Sequence, residues 1–144
     1  MFFYSIQEYY AHIRGKVARC GYSHDWSAIK VTPSSRTVGI VKATPLRFKD
    51  GAILNFYEEI VLNDAGLVFR PGYAYHYERS SPIPYFFRYD RDPLYARPIV
   101  HEECHLHVNQ KEPRFKTHVT GFDEVFDFIL AGFYQETIKG IEEA

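Results

Sequence analysis

The stretch that decides the fold runs from Gly72 to Val108 and reads GYAYHYERSSPIPYFFRYDRDPLYARPIVHEECHLHV. Two aromatic-rich alternating segments are followed by a cluster of histidines. Successive side chains of a β-strand point to opposite faces of the sheet. His76 and Glu78 therefore share one face, opposite Tyr75 and Tyr77. This alternation predicts strands with one aromatic face and one polar face.

The second segment repeats the pattern. Phe87 and Tyr89 share a face, and Arg88 and Asp90 lie on the opposite one. If the aromatic side chains of both segments face inward, the polar residues of both lie together on the outer face. The third segment adds four titratable residues of one parity: His101, Glu103, His105 and His107. Such a face suits acid–base chemistry or a polyanionic ligand.

Helical patterns flank the alternating region. Ser5 followed by Glu8 fits a capping box, and Gly21 is a natural stop for the helix that follows. Its apolar residues recur at helical spacing: Ile6, Tyr9, Tyr10, Ile13 and Val17. A second helix is predicted from Phe122 to about Glu136. Its apolar stripe, which we expect to be buried against the sheet, includes Phe126, Ile129, Leu130 and Phe133.

Strand signals fill the region between the helices. The Asp50-Gly51 pair supports a type I′ hairpin turn between two of the strands. The predicted strands are Ala28 to Thr32, Thr37 to Thr44, Leu46 to Lys49, Ala52 to Leu62, Leu67 to Arg70, Tyr73 to Arg79, Pro84 to Tyr89 and Val100 to Val108. The order of elements predicts an α+β fold, with an antiparallel sheet of about five to seven strands packed against N-terminal and C-terminal helices. With no repeat or linker visible, we expect residues 1–144 to form a single globular domain.

Composition and charge narrow the function classes. Aromatic residues make up 17% of the chain, and their alternation favours a sheet. Residues 1–121 carry 16 Lys/Arg against 12 Asp/Glu, a net charge of +4, whereas residues 122–144 carry one lysine against six acids, a net charge of −5. A body at +4 is weakly basic beside typical nucleic-acid-binding proteins. Charge alone therefore neither indicates nor excludes a nucleic-acid ligand.

The two cysteines, Cys20 and Cys104, are too few for a disulfide scaffold and do not form a C-x-x-C pair. The N-terminus lacks the basic and apolar regions of a signal peptide, and no apolar run approaches the ~20 residues that span a bilayer. We therefore expect a cytoplasmic protein with reduced thiols and no membrane contact. The unpaired edges of so aromatic a sheet are compatible with a homodimer.

Several motifs resemble the TumE-like toxins of prokaryotic toxin–antitoxin modules. They are the hairpin LRFKDGAILNFYEEI from Leu46, YAYHYER from Tyr73, FFRYDRDP from Phe86, the H-x-H pair His105/His107, and a closing acidic helix. The likeness covers roughly residues 46–129. It implies a small toxin that acts as a ribonuclease on RNA and is neutralised by a cognate antitoxin protein.

The chain departs from the family pattern in one place. Where the family has Asn-Ala-Pro-His after its FRYD-like segment, this chain has Arg91-Asp92-Pro93-Leu94. An activity that required this loop histidine would be lost here. A non-catalytic module that binds protein or nucleic acid through the sheet face or the acidic C-terminal helix is the alternative function.

A metal-independent ribonuclease needs a base for the 2′-hydroxyl, an acid for the leaving oxygen and a cation for the phosphorane. Histidine suits both proton transfers, and the planar fork of arginine suits phosphate. The predicted catalytic residues are His76, Arg88, Asp90, His105 and His107, with no cofactor. For Arg88 and Asp90, a same-face ion pair without a catalytic role is an equally good interpretation.

We predict that Tyr75 and Tyr77 bind substrate by stacking on an unpaired base, and that Arg79 binds phosphate. Core packing is the competing interpretation for both tyrosines. The residues His101, Glu103, His105 and His107 also offer imidazole and carboxylate ligands that suit zinc, nickel, manganese or iron. We favour metal-free acid–base use over a metal site, because the chain offers no obvious second ligand set. A solvated or hydrogen-bonded histidine with no role in chemistry is the simpler interpretation, which competes with both.

Overall fold

One antiparallel sheet dominates the computed structural model, which describes residues 1–91, 104–110 and 115–134, with the backbone alone at 115–116. The strands are β1 Lys30–Pro33, β2 Val38–Arg47, β3 Ile53–Leu62, β4 Val68–Phe69, β5 Tyr73–Arg79, β6 Tyr85–Arg91, β7 Cys104–Val108 and β8 Phe115–Lys116. Seven follow the order β1-β2-β3-β5-β6-β7-β8, and the two-residue β4 pairs with β3. With a helix before the sheet and a helix after it, the predicted α+β fold is confirmed.

Helix α1, Ile6–Arg19, begins where the capping signal predicts. The Ser5 side chain accepts a hydrogen bond from the Glu8 N–H, which satisfies one of the free donors of the first turn. The helix ends just before Gly21, whose φ of +81° lies in the left-handed region that favours glycine. Its core-facing residues are buried: Ile6, Tyr9, Ile13 and Val17.

Helix α2, Phe122–Ile129, continues into a π-helical turn at Leu130–Tyr134. Phe126 and Ile129 are fully buried, while Leu130 and Phe133 are half-buried and pack against the same core. Each full burial contributes about 1.5–3 kcal/mol, so this short helix is held mainly by its contact with the sheet. The predicted end of the helix near Glu136 lies outside the described residues. Within residues 1–91, 104–110 and 115–134, no helix is long and apolar enough to cross a membrane.

Two predictions around the first hairpin are wrong. The predicted break at Pro45 does not divide the strand: β2 continues through it, and a shift in its pairing with β3 between Ala43 and Leu46 accommodates the residue that lacks an N–H. The turn at Asp50-Gly51 is not type I′. Of these two residues, Gly51 alone has a positive φ, and a pair of backbone hydrogen bonds from Phe48 and Gly51 closes a wider loop between Arg47 and Ile53.

The other predicted strands lie close to their expected ranges, and the two-residue β8 was not predicted. β5 spans the predicted Tyr73 to Arg79, and β6 runs two residues beyond the predicted Tyr89. β7 begins at Cys104, and the earlier part of the strand predicted from Val100 lies outside the described residues. Because β5, β6 and β7 are neighbours in one sheet, their side chains of like orientation form continuous rows across it.

Candidate functional site

The polar face, defined here as His76, Arg88, Asp90, His105 and His107, is assembled by strand register. Arg88 of β6 pairs with His76 of β5 on one side and with His107 of β7 on the other. Asp90 pairs with His105 in the adjacent row. The structure therefore brings the five predicted catalytic residues together on one side of the sheet, opposite the buried aromatic side chains.

Asp90 lies at the centre of the polar face. The Nε of Arg88 donates to both of its carboxylate oxygens, at 2.8 Å and 2.9 Å. The Nε2 atoms of His105 and His107 lie 3.4 Å and 3.5 Å from Asp90 Oδ2. The two imidazole rings meet edge to face, with centroids 5.0 Å apart. One carboxylate thus orients a guanidinium and two imidazoles.

Solvent exposure is graded across the polar face. The side chains of Asp90, His105 and His107 are 10%, 6% and 9% exposed. Arg88 is 44% exposed and His76 is 24% exposed. A ligand arriving from solvent therefore meets Arg88 and His76 first, with the Asp90 carboxylate and its histidines behind them.

His76 differs from the other two histidines in its surroundings. Its ring stacks on that of Phe86, with centroids 5.4 Å apart and an angle of 14° between the planes. Its Nε2 lies 3.9 Å from a carboxylate oxygen of Glu78. Partial burial lowers the pKa of His76 below its usual value, and the Arg88 charge adds to this effect, although Glu78 and Asp90 oppose it. The neutral imidazole that this favours at neutral pH can accept a proton.

Tyr75 and Tyr77 are not on the polar face. Both are fully buried on the opposite side of the sheet, so neither offers a ring to a base in this structure. The Tyr75 hydroxyl donates to Glu58, and the Tyr77 hydroxyl contacts Tyr134. The core-packing interpretation therefore accounts for both tyrosines, and strand parity is the reason, because odd-numbered residues of β5 point inward.

Arg79 shares this inward orientation. Its Nε donates to the Ser81 carbonyl at 3.0 Å, and its two terminal nitrogens donate to the Tyr77 hydroxyl at 2.7 Å and to Asp50 at 2.6 Å. The guanidinium also lies 5.0 Å from the centre of the Phe133 ring. These contacts tie the π-helical turn to the sheet, so the structure places Arg79 in a structural role and away from the polar face.

Three side chains of the polar face have the composition of a metal site. The ligand atoms of Asp90, His105 and His107 lie within 4.8 Å of one another, and two imidazoles with one carboxylate suit several transition metals. Asp90, on the neighbouring strand, was not in the predicted ligand set, and His101 and Glu103 lie outside the described residues. However, Arg88 already donates to both Asp90 oxygens, so a metal ion would have to share this carboxylate with a cation.

A second charged cluster, which the sequence analysis missed, lies on the core side of the sheet. We call Glu58, Tyr9, Tyr75 and Arg70 the Glu58 cluster. The Glu58 carboxylate is completely buried and accepts hydrogen bonds from both tyrosine hydroxyls, from Arg70 Nε at 2.8 Å and from the N–H of Phe122 at 3.1 Å. It therefore joins α1, β3 and β5 to the N-terminus of α2, where a negative charge is favourable.

Burial raises the pKa of Tyr9 and Tyr75 well above its ordinary value, and the neighbouring Glu58 raises it further. Both tyrosines thus remain hydrogen-bond donors throughout the physiological pH range. The signal for this cluster was present in the sequence: Glu58 has the same strand parity as Phe56 and Ile60, which are core residues. A carboxylate in an apolar row indicates a buried, fully bonded acid.

Comparison with known proteins supplies the family. A family model described as Toxin TumE matches residues 16–133, which include the last turn of α1, the sheet, α2 and nearly all of the π-helical turn. No curated protein and no solved structure matches the chain significantly. The family match covers all five residues of the polar face. It also covers every residue of the Glu58 cluster except Tyr9. The chain belongs to the TumE toxin family, and is thus the toxin component of a toxin–antitoxin module.

Proposed function

We propose that this toxin is a metal-independent ribonuclease and that the polar face is its active site. The observation that carries the proposal is the placement of Arg88 between His76 and His107 in one row of the sheet. Adjacent strands lie about 4.8 Å apart, so a phosphate bound at Arg88 would have an imidazole on either side. An in-line transfer of a phosphoryl group needs a base and an acid in this arrangement.

Arg88 is the phosphate ligand in this proposal. Its Nε is engaged by Asp90, and this contact fixes the plane of the guanidinium while 44% of the side chain stays accessible to solvent. The planar fork binds two phosphate oxygens at once and stabilises the negative charge that grows on them in the transition state. Asp90 therefore positions Arg88 and does not itself take part in proton transfer.

His76 is the proposed base. Its lowered pKa keeps the imidazole neutral at physiological pH, and its side chain is reachable from solvent. It would take the proton from a ribose 2′-hydroxyl. The 2′-oxygen would then form a bond to phosphorus as the bond from phosphorus to the 5′-oxygen breaks, leaving a 2′,3′-cyclic phosphate on one product.

His107 is the proposed acid, and His105 supports it. A protonated imidazole at His107 would give its proton to the leaving 5′-oxygen, which becomes a hydroxyl on the second product. The Asp90 carboxylate, 3.5 Å from His107 Nε2, holds that ring in place, as does the edge-to-face contact with His105. A carboxylate that orients an imidazole in this way is a common device in acid–base enzymes.

The experiment is cleavage of a single-stranded RNA oligonucleotide by the purified protein in the presence of EDTA. We expect cleavage of the RNA, products ending in 2′,3′-cyclic phosphate, and no cleavage of a 2′-deoxy oligonucleotide of the same sequence, because the nucleophile is then missing. Cleavage only after a divalent metal is added, or equal cleavage of both oligonucleotides, would contradict the proposal. Growth arrest by a protein that cleaves no RNA would favour the non-catalytic binding module instead.

A further inference from the structure

A cavity adjoins the polar face at the end of β5 and β6. It has a volume of about 610 Å³, within the range of small-molecule sites. Its lining includes Ile53, Glu78, Arg79, Tyr85, Phe86 and Asn109. Phe86 joins it to the polar face, because the ring of this residue also stacks on His76. None of the residues unique to this cavity has a part in the phosphate chemistry described above.

The cavity offers a stacking surface and a carboxylate side by side. Glu78 and Phe86 are direct partners across β5 and β6, so their side chains are neighbours on the same face of the sheet. The Glu78 side chain is 53% exposed, and its carboxylate has two oxygens that accept hydrogen bonds. Unpaired bases of RNA are bound by aromatic stacking together with hydrogen bonds to their Watson–Crick edge. Both requirements are met here.

We propose that this cavity binds the guanine base of the nucleotide next to the scissile phosphate, an inference that rests on the proposed ribonuclease function. Guanine presents two adjacent donors, N1–H and N2–H, to the two oxygens of one carboxylate. Adenine and cytosine each present an amino group next to a ring nitrogen that carries a lone pair, which repels the second oxygen. Uracil presents one N–H between two carbonyl groups. Glu78 therefore selects guanine.

Asn109 completes the complementarity. Its Oδ1 accepts a hydrogen bond from the Phe86 N–H at 2.8 Å, which orients the amide and leaves its NH₂ group as the donor end. Guanine carries its acceptor, O6, beside the two donors that Glu78 would bind. Arg79 also lines the cavity. Because its guanidinium donates to the Tyr77 hydroxyl and to Asp50, we give it the role of stabilising the cavity wall and not of contacting the base.

The spacing along β6 fits a single nucleotide. Phe86 and Arg88 are two residues apart on the same side of one strand, about 6.8 Å at 3.4 Å per residue. A base stacked at Phe86 and a phosphate held by Arg88 thus belong to one nucleotide, and the 2′-hydroxyl of that nucleotide faces the region of His76. The proposed specificity site and the proposed base are therefore neighbours for a structural reason, the stacking of His76 on Phe86.

The test measures equilibrium binding of guanosine 3′-monophosphate and adenosine 3′-monophosphate to the whole protein by titration calorimetry. We compare the wild type with Glu78→Gln, Arg88→Ala and Glu124→Gln. Glu124 is an exposed acid of α2 near His118, so Glu124→Gln removes the same charge at a distance from the cavity. The wild type should bind the guanosine nucleotide on the order of 10- to 100-fold more tightly, the discrimination expected of one bidentate contact.

Glu78→Gln should remove the preference for guanosine, because the amide loses one acceptor for guanine and its NH₂ group can pair with the ring nitrogen of adenine, so the adenosine nucleotide should bind somewhat more tightly than to the wild type. Glu124→Gln should keep the wild-type ratio. Arg88→Ala should weaken both nucleotides equally. If the wild type binds both with equal affinity and Arg88→Ala weakens both, the guanine site is wrong and the phosphate site stands. If neither nucleotide binds, the guanine site and the proposed ribonuclease function both fail.

Discussion

The two faces of the sheet each carry a carboxylate paired with an arginine, and the pairs differ in what surrounds them. Glu58, on the core side, is bonded by Arg70, by two tyrosine hydroxyls and by a helix N–H, with no exposed surface. Asp90, on the polar face, is bonded by Arg88 and approached by two histidines. Both arrangements satisfy a buried negative charge.

The difference lies in access and in protonation. The tyrosines of the Glu58 cluster stay protonated at any physiological pH, so that cluster is suited to stabilising the fold and not to proton transfer. The polar face carries imidazoles, the type of side chain best suited to proton transfer at neutral pH, and an arginine that is 44% exposed. We conclude that a similar ion pair stabilises the fold on one face and is suited to chemistry on the other.

The largest expected effect is on stability, and it follows from a substitution in the Glu58 cluster. Glu58→Ala should lower the free energy of unfolding by about 3–5 kcal/mol, because it leaves Arg70, 18% exposed, without its counter-charge and frees the N-terminus of α2. Urea denaturation measures it. Glu59→Ala is the matched control, since Glu59 is the next residue of β3 and points to the other face; its loss should stay below about 1 kcal/mol. Equal losses for the two variants would contradict the role given to Glu58.

A smaller loss of stability is expected when Tyr75, a tyrosine of the same cluster, is changed. Tyr75→Phe removes one donor to the Glu58 carboxylate and should cost about 1.5–3 kcal/mol of unfolding free energy, the range for a hydrogen bond to a charged group. RNA cleavage at a temperature where the variant is folded should equal that of the wild type, since the Tyr75 ring is fully buried. Reduced cleavage with unchanged stability would restore the predicted contact between Tyr75 and a base.

Sequence alternation was sufficient to predict the polar face. The rule that strand residues two apart share a face placed His76 with Glu78 and His105 with His107, and register then joined the strands. The same rule also argued against Tyr75 and Tyr77 as substrate ligands, because it placed them in the aromatic row. The aromatic rings of Tyr75 and Tyr77 suggested base stacking, but their orientation within the strand places both rings in the core.

Other features depend on contacts between distant parts of the chain. Arg70 reaches Glu58 and the hydroxyl of Tyr9, 61 residues away, and no local pattern around Arg70 indicates either partner. Nor does local sequence indicate that β2 continues through Pro45, since this depends on how its partner strand accommodates the missing donor. The cavity at Glu78 and Asn109 likewise requires the cross-strand register, which alternation within single strands does not supply.

The measurement that tests the central claim most directly is the rate of RNA cleavage by Arg88→Ala, taken together with its thermal midpoint. Arg88→Ala should cleave RNA on the order of 10²–10³-fold more slowly than the wild type, as expected when one electrostatic donor is removed from an active site. The midpoint should change little, because Arg88 is 44% exposed and His105 and His107 remain within 3.4 Å and 3.5 Å of the Asp90 carboxylate in the variant. Arg47→Ala, which removes an arginine that is 67% exposed on β2, is the control and should retain full activity. An Arg88→Ala protein that unfolds, with a His105→Ala variant that cleaves RNA at the wild-type rate, would mean that Arg88 is structural and that the polar face is not the active site.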